Sequence, residues 1–232
     1  MHKRWIVLLP AWLALGLSLP AQRLSDRGSF TIIQNGAAIG SEEFSINIEN
    51  GGGMVTTRST LNVPKESRMT TVGLDTKLTL TGALASGSYE LTIQEGREKQ
   101  GIQVQFTRDK ATCTFDLGAK KETQDVVFPS NGAILDHNIF CHVELLLLRY
   151  DMKRSGSQGF SVFVPQLGKD GIGTVFVRYV GKDECQWGRK RSKADHFEVS
   201  SPNLTLDVWR DDSGRLLKLN IPQTGVSVER AR

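Results

Sequence analysis

The sequence predicts a mainly β domain, a long curved antiparallel meander forming a half-barrel or open barrel, with one central α-helix. Three observations carry its strands and its helix. Apolar and polar residues alternate through most of the chain, the period of strands with one dry face. Clusters of Gly, Asn, Asp and Ser recur about every 8–12 residues, the spacing of successive hairpins. One stretch alone, 136–151, abandons alternation for helical spacing.

Residues 1–21 stand apart. His2, Lys3 and Arg4 precede an apolar run from Trp5 to Leu19, and Ala21 offers a small residue at a cut point. A basic start, an apolar core of about 15 residues and a small-residue end make a secretory leader. The alternative is a retained membrane anchor, but a spanning helix needs about 20 apolar residues, and Pro20, Gln22 and Arg23 cut this run short. The mature part, 22–232, reads as a single β-rich domain, because no linker or composition break divides it. The formal charge of +4 includes Lys3 and Arg4, so the mature part carries only +2. Such a balance does not support general nucleic-acid binding, and no nucleic-acid partner is expected.

The strands follow in order. Gly28 to Gln34 leads to the turn dipeptide Asn35-Gly36, and Glu43 to Glu49 alternates with Phe44, Ile46 and Ile48 on one face. Asn50 to Gly53 closes that strand, and Met54 to Val63 returns. Further strands are expected over 77–84, 89–95, 102–106, 111–117 and 123–128. The one helix is expected over 136–151, about four turns long. There Ile139, Val143, Leu146 and Leu147 share helical spacing and Asp136 is placed to cap. The run Leu145 to Leu148 is apolar nearly all round, which suggests burial against a sheet. Strands resume over 160–164, 174–180 and 197–200. The closing hairpin pairs Leu204–Trp209 with Leu216–Ile221 across Asp211-Asp212-Ser213-Gly214. Alternation puts Leu204, Leu206 and Val208 on one face and Thr205, Asp207 and Trp209 on the other.

An early Asn35-Gly36-x-x-Ile39-Gly40 turn, Asp136-x-Asn138 opening an apolar helix, Pro165 after a strand, and Asp207-x-Trp209-x-Asp211-x-x-Gly214-Arg215-Leu216 occur together. The combination resembles a set of exported bacterial domains of unknown function built as long antiparallel meanders. The resemblance implies a periplasmic or extracellular, envelope setting and a strongly curved sheet around a helix. It supplies no activity and no catalytic residue. By architecture alone the expected shape is similar to periplasmic lipoprotein carriers, which hold acyl chains against a curved sheet; fold does not fix function.

Chemistry-bearing residues are sparse. His137 and Cys141, four apart on the expected helix, are weak candidates for a metal site. No CxxC or HxxxH accompanies them, and an ordinary cap with a buried thiol is the favoured reading, so no metal and no cofactor are expected. Nucleophile elbows and phosphate loops are missing from the sequence, and the expectation is a protein that is not an enzyme. Of three cysteines, Cys113, Cys141 and Cys185, an oxidising compartment would bridge two. Cys113 with Cys141 is the favoured pair, against the equal alternative of three buried thiols. Arg189, Lys190, Arg191 and Lys193 form a basic run suited to peripheral contact with an anionic membrane, or simply a solvated loop. The leading functional expectation is a non-catalytic envelope protein binding an apolar or amphipathic, lipid-like ligand. Leu145, Leu146, Leu148 and Trp209 are its weak contact candidates. The alternative is a structural or interaction module with an envelope protein partner and no small-molecule ligand.

Overall fold

The computed structural model describes residues 23–65, 68–129 and 131–231; the leader expected over residues 1–21 lies outside them. Asn35 and Gly36 hold φ of 50° and 82°, the left-handed pair that a two-residue turn between twisted strands requires. They join β1 (Leu24–Gln34) to β2 (Ala37–Glu49). The meander continues through β3 (Gly52–Lys65), β4 (Arg68–Thr81), β5 (Ala85–Glu95), β6 (Glu98–Phe106), β7 (Lys110–Asp116) and β8 (Lys121–Val127). A crossing segment then carries β9 (Ala133–Ile134) and α1 (His142–Leu147). The second arm comprises β10 (Ser157–Phe163), β11 (Ile172–Trp187), β12 (Lys190–Ser201), β13 (Leu204–Arg210), β14 (Leu216–Ile221) and β15 (Val226–Arg230).

These fifteen strands form one sheet, running from β8 back to β1 and then from β15 back to β9. First and last strands therefore meet in its middle, with Phe30 opposite Arg230 and Ile32 opposite Val228. Every pairing is antiparallel except that of β9 with β10. The sheet curls until its edges approach. Phe128, just past β8, lies 5.5 Å from Phe163 of β10, ring centre to ring centre. A methyl group added at Gly168, in the turn after β10, would meet the Gln124 side chain of β8 at 2.3 Å.

The concave face is dry because alternation puts every second residue there. Phe30, Ile32, Phe44, Ile46, Ile48, Val55, Leu78, Leu91, Val104, Phe197, Val208 and Val228 join one core with the leucines of α1. The expected central helix is present but short, six residues instead of sixteen. Asn138 takes a φ of 65°, which ends any helix through 136–141. Asp136 does not cap; it pairs with Ile139 in a tight bridge and turns its carboxylate inward. Leu145, Leu146 and Leu147 are buried, as an all-round apolar run requires.

The strands depart from expectation chiefly in the second arm. The basic run is not a loose loop: Lys190 to Lys193 are the start of β12, in register with Glu184 to Trp187 of β11. Between Tyr179 and Gly181 the register shifts by one residue, which moves the following side chains to the opposite face. Cys185 and Trp187 thus reach the convex side, where with Ala194, Leu217 and the half-buried Trp209 they form a second, small apolar cluster. The hairpin tip bends over β14 and β15, fastened where Gly188 N–H donates to Glu229 Oε2 at 2.7 Å.

A candidate ligand pocket over a buried ionic layer

The residues that close the concave side also leave a space there. Val162 of β10, Val175 of β11, Val199 of β12 and Leu206 of β13 form one wall. Ile139, Val143 and Leu146, from the crossing segment and α1, form the other. The half-open pocket between them measures about 840 Å³, within the roughly 300–1,000 Å³ of small-molecule sites. Its rim is polar: Gln34, His137, Asn138, Ser200, Ser201 and Thr224 surround the opening.

Behind the pocket lies a layer of buried ionisable groups. Glu42 of β2 is fully buried, and its two oxygens accept the backbone N–H groups of Phe140 (2.7 Å) and Cys141 (2.9 Å). These are donors that the first turn of α1 leaves unpaired, so a carboxylate from a distant strand takes the role of the cap. Burial pushes the Glu42 carboxyl above the ordinary range, partly offset by those two hydrogen bonds. Tyr89 Oη donates to Asp136 Oδ1 at 2.5 Å. His142 Nδ1 stands 2.6 Å from Asp136 Oδ2, both side chains closed to solvent; the approach is too oblique for an aligned hydrogen bond. Glu144 accepts the N–H of Leu216 at 2.9 Å, and burial, reinforced by nearby Asp26, holds its carboxyl well above the usual value. Arg230 pairs with Asp26 and lies over the stacked rings of Phe30 and Phe44. At Gly28 a β-carbon would stand 2.7 Å from that guanidinium, so glycine makes room for it.

Among the expected contact residues, Leu146 lines the pocket. Leu145 is buried in the core and Leu148 packs partly buried against it, but neither reaches the pocket. Trp209 is on the convex face instead, stacked on His196 with ring centres 4.5 Å apart and its indole N–H donated to Asp183 at 2.8 Å. His137 sits on the pocket rim, whereas Cys141 is buried at the start of α1 beside Glu42. The helix expected to align those two is absent at 137, and among the described residues no three potential ligands converge on a metal position. The expected Cys113–Cys141 bridge is not formed: all three cysteines are free and buried. Burial raises the thiols of Cys113 and Cys185 to about 11, and pushes that of Cys141 well above its ordinary value. Arg191 pairs with Glu184 at 3.3 Å. Lys190 flanks a cleft with Arg27 and Arg215, at the strand ends opposite the pocket rim.

The buried ionic layer escaped the residue-by-residue reading, although a signal for it was present. Position 42 has the parity of Phe44, Ile46 and Ile48, and position 26 that of Leu24, Phe30 and Ile32. A charge at an apolar-phase position needs a buried partner, and both have one.

No family model and no curated protein matches the chain. Among solved structures it is similar to a β-barrel-like protein of domain of unknown function DUF1849 from Brucella abortus. The TM-score is 0.62 at 8% identity, over 90% of this chain and 95% of the other. A DUF1089 family protein from Pseudomonas aeruginosa aligns at a TM-score of 0.49 and 9% identity, over 76% and 87% of the two chains. The likeness to the Brucella protein is one of fold: the chain has the architecture of a β-barrel-like domain of unknown function.

Proposed function

We propose that this chain is an exported envelope protein that holds an apolar or amphipathic, lipid-like ligand without transforming it. The supporting observation is the half-open pocket of about 840 Å³ between the second arm of the sheet and α1. A module that served only as a partner surface would gain nothing from leaving apolar walls unfilled, since voids cost stability. The ionic layer supports the same reading. Glu42, Asp136, His142 and Glu144 are buried; Glu42 and Glu144 tie α1 to the sheet, and Asp136 lines the pocket. Export rests on residues 1–21; an amino terminus at Gln22 on sequencing would support it, and intact Met1 on cytoplasmic protein would contradict it.

The test fills the pocket. Leu206 is half-buried on its wall, so Leu206→Trp adds bulk into the pocket rather than into the packed core. The variant should melt within about 1 kcal/mol of the parent and bind a fluorescent apolar probe at least about tenfold more weakly. Equal probe binding by both proteins would overturn the proposal.

A further inference from the structure

The pocket rim carries an electrostatic bias. Among the described residues that line the pocket, only Asp136 and Asp170 are formally charged, and neither Lys nor Arg is present. Asp136 spends its carboxylate on Tyr89 and His142. Asp170 is exposed at the opening. The other polar groups there are the neutral donors and acceptors Gln34, Asn138, Ser200, Ser201, Thr174 and Thr224 together with the imidazole of His137. Lys169, the exposed neighbour of Asp170 in the same turn, is the nearest cation in sequence and is not among the lining residues; the others lie farther off. Arg27, Lys190 and Arg215 line a cleft at the far strand ends, by Arg210 of β13, whereas Leu204 at the other end of that strand faces the pocket.

We infer that the occupant of this pocket is a single aliphatic chain with an uncharged, hydroxyl-bearing head, and that Asp170 turns anionic amphiphiles away. This rests on the pocket being a ligand site. The neutral rim hydrogen-bonds a hydroxyl head without needing a counter-charge. A carboxylate or phosphate head would lose its hydration beside a like charge with no cation among the lining side chains, which is discrimination by repulsion.

The experiment pairs two ligands of identical chain, 1-monododecanoyl glycerol and dodecanoate, each displacing a fluorescent apolar probe from the purified protein at pH 8 in low salt. The monoglyceride should displace the probe, with dodecanoate about fivefold weaker or more, the effect of one exposed like charge about 4 Å away. Asp170→Asn, at an exposed turn, should narrow that ratio by strengthening dodecanoate more than the monoglyceride. Dodecanoate binding as well as the monoglyceride would overturn the inference. A ratio indifferent to Asp170→Asn would overturn the part assigned to Asp170. If neither ligand displaces the probe, the pocket reading itself falls, and the inference with it.

Discussion

Single residues carry much of the specificity of this structure because a few charged ones, Asp26, Glu42 and Glu144, are buried. Glu144 is the sharpest case. Its carboxyl is held well above its ordinary value by burial and by Asp26, so the folded chain keeps a proton that the unfolded chain releases above about pH 4.3. Its stabilising contribution is complete below that pH and declines as pH rises toward the elevated folded value. Urea melts from pH 4.5 to 8 should show Glu144→Gln with a shallower loss of stability than the parent. Identical slopes would show that this carboxyl titrates normally. Trp209 makes a second case. It is half-buried, stacked on His196 and bonded to Asp183, so Trp209→Ala should cost about 1–2 kcal/mol, less than the roughly 3–5 kcal/mol of a fully buried indole. Probe binding should be untouched, since the ring lies on the convex face. Thiols are equally legible: thiol labelling of native protein should be slow and should reach three only after denaturation, because every cysteine is free, buried and raised in pKa.

Among the elements, α1 depends most on its surroundings. Six residues are too few for a helix to stand alone in water. Here Glu42 satisfies its entry, and Arg149, just beyond its end, donates to the carbonyls of Leu84 (2.7 Å) and Gly132 (3.1 Å). Glu42→Ala should therefore cost about 2–3 kcal/mol by stranding two buried N–H groups, whereas Glu42→Gln, which keeps one acceptor oxygen, should cost less. Chemical denaturation reads both, and equal losses would contradict the capping role. The strands of β1 to β3 were readable because one unbroken phase runs through Phe44, Ile46 and Ile48. The ends of β11 and β12 were not, because the shift at Gly181 inverts the phase and both faces of 182–193 carry charge. The helix was overread for a related reason. The apolar spacing at 139–147 is real, but Asn138 turns the backbone left-handed and Asp136 is claimed by Tyr89. Partners from distant strands decide such points, and local spacing cannot encode them.

At the scale of the whole molecule, a meander that starts and ends in the middle of its own sheet leaves two edges to be brought together by one crossing segment. That segment fills part of the concavity with α1 and leaves the rest as the pocket. The antiparallel meander was foreseeable from turn spacing, although β9 and β15 were not among the expected strands, and its curvature was implied by the resemblance alone. The pocket was not, because it is lined from residues 34, 135–146, 162–176, 199–206 and 221–226, and only Leu146 of the expected contacts belongs to it. The central claim is that this space is occupied by an apolar or amphipathic ligand. Mass spectrometry of organic extracts from purified native protein, alongside equal amounts of Leu206→Trp, tests it most directly. The account predicts a stoichiometric aliphatic species from the parent that is depleted in the variant. An extract without such a species, or one equally abundant in both proteins, would contradict it.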